Sequence, residues 1–200
     1  MFVLGRHWKG AIMRRQWRLA VLIGVLTTTA TTLPAGLLAQ TSAETSGNRA
    51  LVTKHLGLMN RGQWKEAAEL FSADVRHHLG TWQSGQERTV TGQETLTANL
   101  EDIFRTFPDW KMEIVDMVAD GDSVVVRCRV SGTHKGVAAR RVNGGFLLGA
   151  QPTGKRFEVQ HIHWYKVRDG KITDHFTNRD DLGMTQQLGF LPFPPPVSGK

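Results

Sequence analysis

Two histidines and a tyrosine lie at alternating positions in the segment 155–168, where they could transfer protons. In an extended chain every second side chain points to the same side. One face of this segment would therefore carry Phe157, Val159, His161, His163, Tyr165 and Val167. That face is apolar except for two imidazoles and one phenol, and both imidazoles can reach a single ligand. The pattern indicates a site for acid/base chemistry, although two hydrogen-bonded core histidines would give the same pattern.

A carboxylate could join these imidazoles from the next segment, 171–180. If no bulge interrupts the segment, one face carries Ile172, Asp174, Phe176, Asn178 and Asp180. Burial in an apolar site raises the pKa of a carboxyl group, and an adjacent histidine then decides which group holds the proton. The structural alternative is that Asp180 pairs with Arg179 or caps the following helix.

The same residues also suggest a metal site, because a His-x-His sequence on a strand presents two ligands. The third ligand would be His175 or Asp174. His175 would have to face the opposite way from Asp174, so we predict that no metal binds here.

Three helices are predicted in the first half of the chain. In the first, 49–60, Val52, Leu56 and Met59 have helical spacing, and a short second helix follows. Its apolar positions are Trp64, Ala67, Ala68 and Phe71. The third begins at a capping box, 91–94, and stops at Pro108. Its apolar stripe consists of Leu96, Leu100, Ile103, Phe104 and Phe107.

After Pro108 the apolar residues alternate with polar ones, which is typical of strands. Strands are predicted at 110–118, 123–133, 155–168 and 171–180, with Asp-Gly turns before the second and the fourth. A closing helix follows at 181–188. Helices followed by long antiparallel strands indicate an α+β fold. The lone cysteine, Cys128, falls on an apolar strand face and is predicted to be buried.

An ordered series of short motifs resembles a known family. The motifs are Phe107-Pro108-Asp109-Trp110, Gly132-Thr133-His134, Pro152-Thr153-Gly154-Lys155-Arg156, Asp169-Gly170-Lys171-Ile172, Asp174-His175-Phe176, Arg179-Asp180-Asp181-Leu182-Gly183 and Gln186-Gln187-Leu188-Gly189. Over about residues 50–189 the series resembles SnoaL-like polyketide cyclases and ester cyclases of the nuclear transport factor 2-like superfamily. The resemblance implies a cone-shaped, curved antiparallel sheet (cystatin-like) wrapped around N-terminal helices, with a deep pocket at its open end.

The resemblance also implies which residues form the site. In these cyclases an acidic residue near the end of the last strand is the general acid/base of an intramolecular aldol closure, without metal or cofactor. The motif position indicates Asp180, with Asp181 as a competitor that also sits where a helix N-cap is expected. His161 and His163 would orient the acid or the substrate. The expected substrate-binding residues are His78, Trp82, Phe104, Tyr165, Phe176 and Asn178.

The leading hypothesis is a cofactor-independent acid/base enzyme, of cyclase or isomerase type, acting on a hydrophobic small molecule with a carbonyl group. One alternative is a periplasmic small-molecule-binding or scaffold protein without turnover. Another is a hydrolase of the same superfamily that holds a water with Asn178, Arg179 and Asp180. The segment 134–151 is longer than the hairpin expected of the family, and it could be a pocket lid or a surface loop.

The ends of the chain have distinct compositions. Residues 1–39 are predicted to be a signal peptide, 40–48 a linker, 49–189 the SnoaL-like domain, and 190–200 a proline-rich tail. The protein would then be periplasmic or secreted, free of the membrane after cleavage and membrane-anchored if uncleaved.

The distribution of charge and the outer strand residues indicate which binding partners to expect. The net charge is +7, but the 40 N-terminal residues hold five Lys and Arg and no acid, so the domain itself is nearly neutral. Nucleic-acid binding is therefore not expected. A homodimer through the outer sheet face is possible in this kind of fold, with Ile162 and Trp164 as candidate contacts.

Overall fold

The computed structural model describes residues 35–81, 87–140 and 147–193. The elements are α1 (Ala35–Asn60), α2 (Trp64–Ala68), β1 (Phe71–Thr81), β2 (Glu87–Thr91), α3 (Gln93–Thr106), β3 (Lys111–Asp120), β4 (Ser123–Thr133), β5 (Arg156–Arg168), β6 (Lys171–Arg179) and α4 (Asp181–Leu188). The predicted α+β class is confirmed. The second, third and fourth predicted strands and the closing helix agree with the structure to within one residue.

Helix α1 begins earlier than the sequence predicts. It runs through 40–48, so the segment expected to be a linker is helical. The predicted apolar stripe of this helix is buried, with Val52 and Leu56 at 1% exposure or less. Residues 1–34 of the predicted signal peptide and 194–200 of the predicted tail lie outside the described residues, and export stays a prediction. Of the helices that are described, none has the length and apolar character needed to cross a membrane.

The predicted capping box at the start of α3 does not form. Thr91 is the last residue of β2, and Gly92 is the N-cap residue, with no side-chain cap. Gly92 has a φ of 92°, a conformation that glycine adopts without a Cβ clash. The chain leaves a strand and enters the helix within one residue here, which takes Thr91 out of capping position. Helix α3 ends at Thr106, before Pro108, as predicted.

The six strands form one curved, unclosed sheet in the order β2-β1-β6-β5-β4-β3. All neighbouring pairs are antiparallel except β1 and β6, which run parallel. Strands β1 and β2 were not predicted, because their sequences lack an apolar alternation. Helix α1 packs against β3 and β4, and α3 packs against β1 and β2. The helices therefore cover the sheet face onto which the buried side chains point.

The inward faces of β4 and β5 follow the predicted alternation. On β5 the buried residues are Phe157, Val159, His161, His163, Tyr165 and Val167. On β4 Cys128 is fully buried, as expected, and desolvation raises its pKa to about 11. On the opposite face Ile162 and Trp164 are exposed by 47% and 41%. A dimer through these residues stays a prediction.

A bulge in β6 reverses which of its residues face inward. Lys166 of β5 pairs with Asp174, but Val167 pairs with Ile172, so Thr173 is an extra residue in β6. A bulge shifts every later side chain to the other face. Beyond Thr173 the inward residues are therefore His175, Thr177 and Arg179. The face predicted for an uninterrupted strand, which included Asp174 and Asp180, does not exist.

The segment after β4 is fastened to helix α3 by a buried carboxylate. Asp102, which is fully buried, accepts hydrogen bonds from the backbone N–H groups of Ala139 (3.0 Å) and Arg140 (3.1 Å). It also pairs with Arg105 at 2.6 Å. Residues 141–146 lie outside the described part of this loop, so its role as a lid stays a prediction.

We expect Asp102→Ala to lower the free energy of unfolding by roughly 2 kcal/mol, because it removes a buried carboxylate that accepts from the backbone N–H groups of Ala139 and Arg140 and pairs with Arg105. Urea unfolding would measure this change. The matched control is Glu101→Ala, which removes an exposed carboxylate from the same Arg105 and should change stability by less than about 0.5 kcal/mol. Equal effects of the two variants would contradict the role given to Asp102.

Candidate functional site

A cavity lies between the helices and the inward face of the sheet. Its lining consists of His55, Met59, Phe71, His77, Leu96, Leu100, Ile103, Trp110, Met112, His161, His163, Tyr165, His175, Thr177 and Arg179. It holds about 500 Å³ of empty space including its open mouth. Most of its wall is apolar.

Five histidines give the cavity its chemical character. Desolvation by burial lowers the pKa of His55 and His77 to about 4 and that of His161 to about 3. It also lowers the pKa of His163 and His175 well below the ordinary value. Arg179 opposes their protonation further, since it is a cation on the same wall. All five imidazoles are therefore neutral at pH 7, able to accept a proton at one nitrogen and donate from the other.

The imidazoles differ in their hydrogen bonds. Nδ1 of His163 lies 2.9 Å from Nε2 of His175, so these two share a hydrogen bond. The ring of His175 stacks on Tyr165, with centroids 4.5 Å apart and planes within 2°. His161 is 2% exposed, and neither of its ring nitrogens has a protein partner. Buried polar atoms without partners are costly, so His161 is well placed to bond a ligand.

Arg179 brings a positive charge to the cavity wall. Its side chain is 8% exposed, and its Nη2 lies 2.8 Å from Oδ2 of Asp181. Burial raises the pKa of Asp181 even though Arg179 favours its ionised form. Arg179 is paired with His161 across the β5–β6 ladder. Within the described chain, no aspartate or glutamate lines the cavity itself.

Three of the predicted site residues line this cavity, namely His161, His163 and Tyr165. Asp180 does not. It is exposed, and its Oδ1 accepts a hydrogen bond from the N–H of Gly183 at 2.8 Å, so it is the N-cap of α4. The structural alternative for Asp180 is the one that the geometry supports. Asp181, at the first position of the helix, is the acid nearer the cavity through its bond to Arg179.

Three other predicted site residues lie on the outer sheet face: Phe176 and Asn178, which the bulge in β6 turns outward, and His78 of β1. The ring of His78 stacks on Phe176 with centroids 3.9 Å apart, and its Nε2 lies 3.2 Å from Oδ1 of Asp174. Asn178 is exposed. Of the adjacent pair on β1, it is His77 rather than His78 that faces the cavity.

The last two predicted residues also lie elsewhere. Phe104 is partly buried against the core, and α3 presents Leu96, Leu100 and Ile103 to the cavity instead. Trp82 lies outside the described residues.

Sequence reasoning missed several cavity residues. A signal existed for His55, which lies on the same helical stripe as Val52 and Met59. None existed for His175, Thr177 and Arg179, because their orientation depends on the bulge. Despite the histidine cluster, nowhere in the described ranges do three or more His, Cys, Asp or Glu side chains converge in a way that could hold a metal ion.

We expect Asp180→Ala to lower the free energy of unfolding by about 1 kcal/mol, because it removes a helix cap. Ligand binding in the cavity should be unchanged, since the side chain points away from it. Calorimetric titration of the variant with any cavity ligand would check this. A large loss of affinity without a loss of stability would show that Asp180 contributes to ligand binding and contradict its role as a cap alone.

Stability should decrease as the pH falls below 6.5. The unfolded histidines have a pKa near 6.5, and the folded values for His55, His77 and His161 are about 4, 4 and 3. The unfolded chain therefore binds more protons in this window, and stability is fully present only above it. Each buried histidine contributes up to about 1.4 kcal/mol per pH unit.

Urea unfolding at pH 7, 6 and 5 would measure this dependence. His161→Gln should make it shallower by about one proton. Carboxylates with lowered pKa values, such as Asp109 and Asp122, reduce the stability of the protein only when the pH falls below the ordinary aspartate pKa of 3.8, which is outside this window. An unfolding free energy that is constant from pH 7 to 5 would contradict the assignment of neutral, buried imidazoles.

Two known proteins are similar in sequence to about three quarters of this chain. The aklanonic acid methyl ester cyclase DnrD of Streptomyces peucetius is 27% identical over 147 residues, which are 73% of this chain and 92% of that protein. The phenazine biosynthesis protein PhzB of Pseudomonas fluorescens is 25% identical over 149 residues, 74% of this chain and 83% of that protein.

The fold is also found in a solved structure. A phenazine biosynthesis-related protein of Pseudomonas aeruginosa superimposes with a TM-score of 0.61 at 20% identity, covering 79% of this chain and 94% of that one. Residues 49–188 of the present chain match the family described as SnoaL-like polyketide cyclase. Because the match covers more than half of the sequence, the resemblance is confirmed: the chain belongs to the SnoaL-like polyketide cyclase family.

Proposed function

We propose that the protein is a cofactor-independent acid/base enzyme of the cyclase type, acting on a small, mostly apolar molecule with a carbonyl group. The observation that carries the proposal is the pairing of His161 with Arg179 across adjacent strands of the cavity wall. His161 has two ring nitrogens without protein partners, and Arg179 is a buried cation. Together they supply a hydrogen-bonding group and a positive charge in a mostly apolar cavity wall.

Such a setting favours the formation of an enolate. Removing a proton next to a carbonyl places negative charge on the carbonyl oxygen, and a fixed cation nearby lowers the energy of that state. A neutral imidazole has a free nitrogen that can take the proton, but its lowered pKa makes it a weak base, so the reaction depends on the ligand anion to offset the cost of protonating it. The imidazolium that forms is stabilised by the enolate beside it. The imidazoles would thus replace the carboxylate that the family resemblance implied.

The cavity constrains the shape of the substrate. Its volume of about 500 Å³, open mouth included, suits a small molecule, and the apolar residues of α3 would contact the apolar part of that molecule. Met59 and Met112 also line it, and methionine side chains adapt to ligands of different outline. A relative that is named as a cyclase of aklanonic acid methyl ester makes a ring closure the natural reaction to test.

A second candidate is a binding protein without turnover. It is favoured by the lowered pKa values, since none of the five imidazoles is protonated, and by a wall without a carboxylate among the described residues. The hydrolase alternative placed Asn178, Arg179 and Asp180 around one water. Arg179 lines the cavity, but the side chains of Asn178 and Asp180 are exposed outside it, which gives this alternative less support.

We expect the protein to bind 2-tetralone or aklanonic acid methyl ester saturably and to speed hydrogen exchange at the carbon next to the carbonyl in D2O. Calorimetry would measure the binding and proton NMR the exchange. Arg179→Gln should lower the exchange rate on the order of a hundredfold, because it removes the charge that stabilises the enolate. Affinity should fall less, since the neutral ketone carries no full charge.

The matched control is Arg76→Gln, which removes an arginine paired with Asp174 on the outer face. It should leave exchange unchanged. Saturable binding of both compounds with no exchange above the buffer rate would favour the binding protein. Failure to bind either compound would overturn the proposed ligand class.

A further inference from the structure

Trp110 brings an indole ring to the wall of the cavity. The residue immediately precedes β3, lines the cavity and is 5% exposed. Its Nε1 is buried, and among the described residues no atom accepts a hydrogen bond from it. An indole N–H can donate but cannot accept. The group that completes this hydrogen bond must therefore be an acceptor.

The other unpaired polar groups of the cavity leave the chemistry of the ligand open. Both ring nitrogens of His161 and the hydroxyl of Thr177 are also buried without a partner in the described part of the chain. An imidazole and a hydroxyl can each donate or accept, so they fit ligand atoms of either kind. The indole of Trp110 admits only an acceptor. Because a buried donor without an acceptor is costly, we expect the ligand to place an oxygen there.

Neighbouring residues hold the indole in place. Its ring centroid lies 5.8 Å from that of Phe107 and 5.9 Å from that of Phe157. The backbone N–H of Trp110 donates to the carbonyl oxygen of Phe107 at 3.0 Å. The preceding residue, Asp109, accepts from the backbone N–H and the hydroxyl of Thr133, both at 2.7 Å. Trp110 is therefore a fixed donor, and fixed donors stabilise a developing charge without reorganising.

His161 lies between Trp110 and Arg179 on the cavity wall. Its ring centroid is 6.3 Å from that of Trp110, and it pairs with Arg179 across the β5–β6 ladder. In the sheet β5 lies between β6 on one side and β4 and β3 on the other. The wall therefore presents a neutral donor, an imidazole and a cation in this order.

An aldol ring closure needs three groups in the same order. The carbon that loses its proton comes to lie between two carbonyl carbons, because it is bonded to one and attacks the other. Negative charge develops first on the oxygen of the enolate and then on the oxygen of the attacked carbonyl. A base is therefore needed in the middle, with a charge-stabilising group on each side.

We propose that Trp110 is a catalytic residue of the ring closure, which donates its indole N–H to the oxygen of the attacked carbonyl. The proposal rests on the acid/base function given above, in which Arg179 stabilises the enolate oxygen. It adds a requirement for the ligand, which must carry a second carbonyl group within reach of the enolate carbon.

The step balances without any other reactant. A bare nitrogen of His161 takes a proton from the carbon next to the first carbonyl, and the electrons of that C–H bond are shared with the oxygen beside Arg179. The enolate carbon forms a bond to the second carbonyl carbon, whose π electrons move to the oxygen beside Trp110. The imidazolium of His161 returns the proton to this alkoxide. The product is a β-hydroxy carbonyl compound, and His161 is neutral again.

The two steps can be separated with aklanonic acid methyl ester in D2O, by following ring closure and hydrogen exchange together. Trp110→Phe keeps an aromatic ring and removes the N–H. It should lower the rate of closure on the order of a hundredfold, because the alkoxide loses its donor. Exchange next to the first carbonyl should fall far less, so that deuterium accumulates in the unclosed ligand.

Trp64→Phe is the matched control, since Trp64 packs against the core and is not among the residues that line the cavity. It should leave closure and exchange unchanged. Closure at the wild-type rate in Trp110→Phe, with the ligand bound, would overturn the role of Trp110 and leave the proposed function intact. Equal losses of closure and exchange in Trp110→Phe would also overturn that role.

A second measurement uses the wild-type chain and does not depend on turnover. The chain has six tryptophans, and NMR of the ¹⁵N-labelled protein resolves and assigns their indole N–H signals. Binding of aklanonic acid methyl ester should move the Trp110 signal downfield, as for an N–H that gains an acceptor, and leave the Trp64 signal in place. A Trp110 signal that does not move when the ligand is bound would overturn the proposal.

Failure of the proposed function has a different signature. Absence of both exchange and closure in the wild type would overturn that function, and with it the part given to Trp110 in the closure. A shifted indole signal would then leave Trp110 as a binding contact alone.

Discussion

The arrangement of the cavity depends on one extra residue in the pairing of β5 with β6. Thr173 occupies that position, and every side chain after it in β6 faces opposite to an uninterrupted strand. His175, Thr177 and Arg179 consequently line the cavity, while Asp174 and Phe176 join His78 on the outer face. Because side-chain direction along a strand has a period of two residues, a one-residue insertion exchanges an acidic and aromatic wall for one with an imidazole and a guanidinium.

Desolvation then sets the electrostatics of that wall. Five imidazoles share an apolar enclosure, and burial is the first cause of the lowered pKa of each. A neutral imidazole accepts at one nitrogen and donates from the other, whereas an ionised carboxylate only accepts. Arg179, held by Asp181, is the cation on this wall. The combination favours chemistry in which negative charge develops on a ligand oxygen.

Membership of the family does not by itself fix which residues line the cavity of this protein. The chain belongs to the SnoaL-like polyketide cyclase family, and its fold is found in a solved structure. The acid that the resemblance placed at the end of the last strand caps helix α4 instead, and its bond to Gly183 accounts for its presence there. Under the proposed function, imidazoles would transfer the proton in place of that acid, which is consistent with fold and site being set by different residues.

By itself the sequence determined the α+β class, the four long strands after Pro108, the two tight turns that join them in pairs, and the closing helix. It also determined the inward face of β5, with His161, His163 and Tyr165. These follow from local alternation and from turn residues, which act over a few neighbours along the chain. Only the tertiary structure decided the strands β1 and β2, the N-cap at Gly92, the choice of His77 over His78, and the inward face of β6. Each of these depends on how one strand registers against another, a contact between residues far apart in sequence that no local pattern encodes.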